Sequence, residues 1–424
     1  MSKKLDAFFK SYADSEDQLD YKMAHETVGE KVAVISTGSL ALDDALSSGG
    51  LPKGRLIQYY GPPGSGKSLM AMIAMMEAQK EDVTSQQVFI DAEQTFDPNW
   101  AETLGVDTSR VILVEGDMAA NGRKCFEMLL GVPKEDKKHI LAGKSKEGLL
   151  DKIINKEFNI NLIVLDSLGS IIPPGEDTSA IGKMNMSLLA RFLTTTFRKL
   201  TLEVMKANVP FIIINHKRDS FDMYGADHTF SGGNTYAHTL SANVYFEAVQ
   251  RKDDMIVDEK ENKVGHPLRA TIEKSKFGPW PRKCEFKINF GIGIIDRHEE
   301  IAALALEYDV VTKSSSVSHE YDGKTWVGFP KFCNAIKNDP SLANELTAKI
   351  SLARDSKQEQ KRNEQKLKKA LVENSKPVVK SEQSQDSDKR CYGSEPVEEL
   401  DNLDKRCYGS ESVEDSDKKV KKGK

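Results

Sequence analysis

The chain of 424 residues lacks several things, and each absence excludes a class of protein. It has no apolar run near the ~18 residues that a membrane-spanning helix needs, so such a span is excluded. Its first residues, MSKKLDAFFKSYADSED, hold no apolar segment of a secretory leader, so export is not expected. Cysteine is scarce: five residues, odd in number and scattered, with no CxxC pair. That excludes a disulfide framework and predicts a reducing, cytoplasmic compartment. Basic excess is missing too. Lys and Arg number 60 against 65 Asp and Glu, a formal charge of -5, which taken alone speaks against a nucleic-acid binder.

What the sequence does hold is a long alternation of strand and helix signals from Val34 to about Ile295. Short, β-branched apolar runs recur at Leu56–Tyr60, Val88–Ile90, Val111–Val114, Leu162–Leu165 and Phe211–Ile214. Unalternated runs of this length are expected of strands buried on both faces of a parallel sheet. Helical segments lie between them, such as Ser68–Lys80 and Met186–Ala207. The pattern predicts an α/β fold, a mostly parallel central sheet flanked by helices.

Four regions follow from composition. Residues 1–33 are polar, with one amphipathic stretch from Leu5 to Tyr12; residues 34–295 form the core; residues 296–350 form a small α+β C-terminal domain. That domain is expected to hold helices at Glu299–Tyr308 and Phe332–Lys337, and a hairpin turning at Asp322-Gly323. Residues 351–424 lose their apolar content and are expected to be a disordered charged tail. Thr347–Lys380 carries ten Lys/Arg against four Asp/Glu, Ser381–Asp417 twelve Asp/Glu against four Lys/Arg, and the last seven residues five Lys. The segment Asp388-Lys-Arg-Cys-Tyr-Gly-Ser-Glu395 recurs sixteen residues later at Asp404–Glu411, a low-complexity duplication.

The most specific motif is Gly61-Pro62-Pro63-Gly64-Ser65-Gly66-Lys67-Ser68, a complete G-x-x-x-x-G-K-[ST] between a strand and a helix that continues at Leu69. Its glycines allow backbone conformations that a Cβ forbids, so amide N–H groups can ring a phosphate at a helix N-terminus. Lys67 is expected to reach the β- and γ-phosphates of ATP, and Ser68 to ligate Mg²⁺. Asp166, ending the strand Leu162–Leu165, is the expected partner carboxylate of the metal. Another strand ends in Asp91-Ala-Glu93. Both carboxylates share strand parity, so on pattern either can face the site. Glu93 lies beyond the strand end and is the better candidate to orient the attacking water.

These residues sit in a wider pattern: Ile35-Ser-Thr-Gly-Ser-Leu-Ala-Leu-Asp43, Gly49-Gly-Leu-Pro-Lys-Gly54, Ile90–Glu93, Asp97-Pro98, Leu104–Asp107 and Leu165-Asp-Ser167. Their order resembles the RecA family of strand-exchange recombinases over about Val34 to Lys337, with core substitutions similar to its bacteriophage-type members. The resemblance implies a RecA-like P-loop ATPase core. It makes Glu93 the catalytic glutamate, and Asp97 and Trp100 adenine contacts. Asn215 and His216 occupy the family's γ-phosphate sensor, with His where bacterial members carry Gln. Lys274 and Lys276 match lysines that reach a neighbouring subunit's ATP. Residues 1–33, though divergent in sequence, are expected to dock on that neighbour as their counterpart in the family does.

The resemblance also places two DNA loops. Pro173–Lys183 feeds a helix carrying Arg191, Arg198 and Lys199. Lys217–Gly233 mixes Lys217 and Arg218 with Phe221, Tyr224 and Phe230, and ends in Gly232 and Gly233. Cations suit phosphates and aromatic rings suit bases. The implied activity is a DNA-dependent ATPase that forms filaments on single-stranded DNA and exchanges strands with homologous double-stranded DNA, with single-strand-binding or loader proteins as possible partners. A RecA-like motor or helicase, and a non-catalytic ATP-binding filament protein, are the alternatives. The block 381–417 contributes -8, so the remaining 387 residues sum to +3. DNA contact must then be local, and the acidic block is expected to restrain it.

Overall fold

The computed structural model describes residues 32–132, 146–176, 186–219, 228–230, 232–249, 251, 255–315 and 317–374, with Phe8 and Glu30. The expected docking segment 1–33, apart from these few residues, and the repeat-bearing tail beyond Asn374 lie outside that set. Among the described residues no helix is long and apolar enough to cross a membrane.

Strand β1 (Val34–Ile35) leads to helix α1 (Leu40–Ala45), and β2 (Leu51–Pro52) returns antiparallel to β1. Ser39 caps α1 by accepting from Leu42 N–H, and buried Asp43 accepts from Thr37 N–H at 2.8 Å and Ser36 Oγ at 2.7 Å. The Ser-Thr-Gly-Ser-Leu-Ala-Leu-Asp wording is therefore a local hydrogen-bonded knot packed under the sheet.

The main sheet begins with β3 (Leu56–Gly61), followed by helix α2 (Lys67–Glu81), β4 (Gln86–Asp91), helix α3 (Pro98–Thr103) and β5 (Val111–Val114). Helices α4 (Gly116–Ala120), α5 (Gly122–Leu130) and α6 (Leu149–Ile154) precede β6 (Ile160–Asp166). Helix α7 (Met186–Ala207), β7 (Phe211–Asp219), β8 (His228–Phe230), helix α8 (Gly233–Thr239) and β9 (Ala242–Ala248) follow. Strands β9, β3, β7, β6, β4 and β5 are parallel in that order.

The expected apolar runs all fall inside β3 to β7. Alternate residues feed opposite faces: Leu162 and Val164 join one core cluster with α1 and α2, while Ile163 and Leu165 join another with α5, α6 and α7. Burying each such side chain on either face contributes about 1.5–3 kcal/mol.

Beyond β9 the alternation fails. Strands β10 (Ile256–Val257), β11 (Lys263–Ser275), β12 (Arg282–Asn289) and β13 (Gly293–Ile294) form an antiparallel arm, with β11 against β9. No helix separates them, because β12 leaves Lys283 and Glu285 in solvent and buries Phe286 and Ile288.

Helix α9 (Arg297–Glu307) and a three-stranded meander, β14 (Thr312–Lys313), β15 (Ser318–Tyr321) and β16 (Lys324–Val327), follow. Helices α10 (Phe329–Asn338) and α11 (Pro340–Asn374) close the described chain. Asp322 (φ 49°) and Gly323 (φ 71°) make the expected tight turn. Residues 296–350 have their own apolar core around Phe332, Leu346 and Ile350.

The tail departs from expectation at its start. Helix α11 continues through Ser351 to Asn374. Low apolar content excludes a buried core but not a helix: after Ser351 this stretch is mostly Leu, Ala, Arg, Lys, Gln and Glu, with no Gly or Pro. By contacts the chain divides into two units, Met1–Asn363 and Glu364–Lys424; the described part of the second is the end of this helix.

Candidate functional site

Pairing register places the site. Gly61 at the end of β3 lies opposite His216 of β7, and Asp91 of β4 opposite Asp166 of β6. The carboxyl ends of four adjacent parallel strands thus converge on one edge, where ligands bind in open α/β sheets.

The phosphate loop fills the step from β3 to α2. Gly64 (φ 72°) and Gly66 (φ 81°) adopt the left-handed conformation that favours glycine. Lys67 Nζ donates to the carbonyls of Gly61 at 3.1 Å and Pro62 at 2.8 Å, and burial pulls its pKa down against the charges of Asp166 and Glu93. Ser65 Oγ is buried with no partner among the described residues. Ser68 Oγ donates to Asp166 Oδ2 at 2.6 Å. Burial pushes the Asp166 carboxyl up to about 6.

Glu93 behaves in the opposite way. Its Oε1 accepts from Ser167 Oγ and meets His216 Nε2 at 2.5 Å. The His216 bond holds its carboxyl down, at about 2. Asp91 is buried, and its Oδ2 accepts Phe96 N–H at 2.8 Å, folding the chain after β4 back on itself. Of the two carboxylates that the pattern left open, Glu93 is the one set among polar partners at the strand ends.

Beside the loop lies a cavity of about 280 Å³ lined by Leu69, Met72, Phe96, Trp100, Asp166 and Phe290, among others. Trp100 Nε1 donates to the Phe290 carbonyl at 2.5 Å. Asp97 caps α3, accepting Asn99 N–H at 2.9 Å, and so sets the angle at which Trp100 enters the cavity wall. Asn215 is fully buried; its Nδ2 donates to Gln58 at 3.1 Å and its Oδ1 accepts His216 N–H at 2.9 Å. It orders the strand under His216 from within the sheet.

Lys274 and Lys276 end β11 and follow it. Lys274 Nζ donates to the carbonyls of Ala237 at 2.6 Å and His238 at 3.2 Å, at the C-terminus of α8. Lys276 is exposed. Burial lowers both pKa values.

On α7, Leu193, Phe197, Leu200 and Val204 form the buried stripe, and Arg191, Arg198 and Lys199 stand exposed. Of the first candidate DNA loop, Pro173–Glu176 is described, and 177–183 lies outside the described residues, as do Phe221 and Tyr224 of the second. The second segment is not wholly a loop: β7 extends through Lys217 and Arg218 to Asp219 and pairs antiparallel with β8, Lys217 opposite Phe230. Phe230 packs edge-on against Tyr60 at 5.1 Å and Tyr236 at 6.1 Å, so its ring anchors this hairpin to the sheet. Gly232 (φ 122°) has no room for a Cβ, which would meet Tyr236 Cδ1 at 2.5 Å, and Gly233 (φ 75°) opens α8.

Several residues here have no local sequence signal. Phe290 reaches the cavity from the antiparallel arm. Gln58 and Tyr236 sit in the core. Ser167 belongs to a motif already quoted, and a hydroxyl next to the metal-side aspartate is a signal that could have marked it.

A loop of this geometry between a central parallel strand and a buried helix defines a P-loop nucleotide-binding protein. The family model of the RecA N-terminal domain matches residues 18–135 and 142–295. The chain is 32% identical over 332 residues to Protein RecA of Helicobacter pylori, covering 78% of this chain and 86% of that protein. It is 34% identical over 322 residues to Protein RecA of Porphyromonas gingivalis, covering 76% and 85%. The chain belongs to the RecA family.

Proposed function

We propose that this chain is an ATP-dependent recombinase that forms filaments on single-stranded DNA and catalyses homologous pairing and strand exchange. The observation that carries this reading is the direct bond between Glu93 and His216: His216 stands on β7, and β7 runs on into Lys217 and Arg218 at the candidate DNA segment. A group that senses nucleotide is thereby one residue from a group suited to phosphate backbones.

The donor set fits ATP and Mg²⁺. Ser65 brings an unpartnered buried hydroxyl, Lys67 a cation, and Ser68 with Asp166 hard oxygen ligands of the kind Mg²⁺ takes. The metal would screen phosphate charge. Trp100 would stack on the adenine ring, with Asp97 fixing its helix. Glu93, ionised across the working range, would orient the attacking water rather than hold its proton. His216 has one Nε2, so donating to a γ-phosphate oxygen would release Glu93 toward that water. Lys274 and Lys276 would act on a neighbouring subunit's nucleotide, and Lys274 would leave the α8 carbonyls to do so. Phosphate contacts by Arg191, Arg198, Lys199, Lys217 and Arg218 would be few per subunit and multiplied along the polymer.

Electron microscopy with ATP and single-stranded DNA should show regular filaments, and joint molecules should form only with homologous duplex. Nucleotide turnover without filaments or joint molecules would return the chain to the motor reading.

A further inference from the structure

Gln58 lies at the centre of β3 and is fully buried. Its carboxamide oxygen accepts Asn215 Nδ2 of β7 at 3.1 Å and the Tyr236 hydroxyl of α8 at 2.7 Å, and its nitrogen donates to Asn243 Oδ1 of β9 at 2.8 Å. Asn243 Nδ2 continues to Glu273 Oε2 of β11 at 3.3 Å. Glu273 also accepts the Tyr60 hydroxyl of β3. The next residue, Lys274, donates to the carbonyls of Ala237 and His238, back on α8. The bonds thus close a ring from Gln58 through β9, β11 and α8 to Gln58, with a branch through Asn215 and His216 to Glu93.

We infer that Gln58 and Tyr236 are positioning residues that tie β7 at Asn215, two residues before Lys217, to α8 at Tyr236, four residues after Gly232. Both flanks of the candidate DNA segment hang on one buried carboxamide. A buried donor or acceptor that loses its partner is costly. Shifting α8 or the end of β7 alone therefore breaks a bond that cannot be remade with water, and the two move together. Tyr236 is held in place for this by edge contacts with Phe197 at 4.8 Å and Phe230 at 6.1 Å, both independent of its hydroxyl. The consequence rests on the function proposed above: what Glu93 and His216 sense reaches both flanks at once, and the strand carrying Lys274 with them.

Tyr236→Phe in the full chain removes the hydroxyl and keeps the ring packing. Turnover without DNA and the KM for ATP should stay within about twofold, while the single-stranded DNA concentration giving half-maximal stimulation rises about tenfold. Amide exchange should speed at His216 as well as across residues 233–239. Gln58→Leu should lose more, and Gln58→Glu, which keeps the two acceptor bonds, should recover part of the loss. If Gln58→Leu does not fold, Tyr236→Phe decides. Wild-type DNA dependence in Tyr236→Phe, or exchange that speeds only within α8, overturns the inference. An equal loss of basal and DNA-stimulated turnover also overturns it, since that is a merely structural role. Wild-type turnover blind to single-stranded DNA would sink the proposed function; exchange at His216 in Tyr236→Phe then decides the tie between β7 and α8 by itself.

Discussion

The nucleotide edge and the candidate DNA face of this chain are built on different principles. At the nucleotide edge the assigned side chains engage one another or the loop: Lys67 its carbonyls, Ser68 Asp166, Glu93 both Ser167 and His216. On the candidate DNA face Arg191, Arg198 and Lys199 stand in solvent along one side of α7, and the cations Lys217 and Arg218 lie on a strand that ends in the acidic Asp219. One edge is preorganised for a compact, highly charged ligand. Under the proposed function the other offers a few cations to a long polymer, and repetition along that polymer would do the rest. On that proposal a RecA-family chain can carry a formal charge of -5 and still hold DNA.

The sharpest way to break the comparison is at the preorganised edge. Lys67→Ala should lower ATP turnover by about a hundredfold or more, with an unchanged circular dichroism spectrum, because one group supplies a large share of the charge stabilisation. Full turnover in that variant would remove the phosphate-loop assignment. Arg191→Ala combined with Arg198→Ala should weaken single-stranded DNA binding about tenfold at low salt and flatten the salt dependence by about 0.7 per lost phosphate contact. Titrations at several salt concentrations measure both. An unchanged slope would take α7 off the DNA face.

Smaller effects sharpen the contrast. Truncation after Lys380 removes the block with twelve Asp/Glu and should raise apparent DNA affinity a few-fold at low salt, the gain fading as salt screens it. Equal affinities at low salt would leave the tail without a restraining role. The last effect is on stability. Asp166 has its carboxyl raised to about 6 from an ordinary 3.8. A raised folded value makes its contribution complete below the ordinary value and lost as pH rises through 6. Without nucleotide or metal, the Tm advantage of wild type over Asp166→Asn should therefore shrink between pH 4 and pH 6 and stay flat above. Glu93, held down at about 2, works in the other sense, losing its contribution only as pH falls from 4.5 toward that value.

The same contrast decides what the sequence made legible. The phosphate loop is a contiguous backbone device, so eight residues and their strand-to-helix context sufficed. The strand ends were legible because buried parallel strands read as short β-branched runs, and Asp91, Glu93, Asp166 and His216 sit at or just past those ends. The choice between Asp91 and Glu93 needed the fold, since equal parity cannot tell a carboxylate that caps Phe96 N–H from one that meets His216. Phe290, whose carbonyl accepts Trp100 from 190 residues away, had no local signal. Nor did the ring around Gln58, because a lone Gln in an apolar strand shows its partners only once four strands and a helix are assembled. The second candidate DNA segment read as a loop because Lys217-Arg-Asp and His-Thr-Phe carry no apolar alternation; its hairpin stem is set by pairing between them. Helix α11 was missed because charge content was weighed above helix propensity over residues 351–374.

The central claim is that turnover at the Glu93 edge is governed by the polymer at the Arg191 face. Steady-state ATP turnover of the full chain, measured at fixed Mg²⁺ while single-stranded DNA is titrated in, tests it most directly. Turnover should rise steeply with DNA and saturate, and in the Arg191→Ala, Arg198→Ala double variant the same rise should need about tenfold more DNA at low salt. A rate that is the same with and without DNA would contradict it.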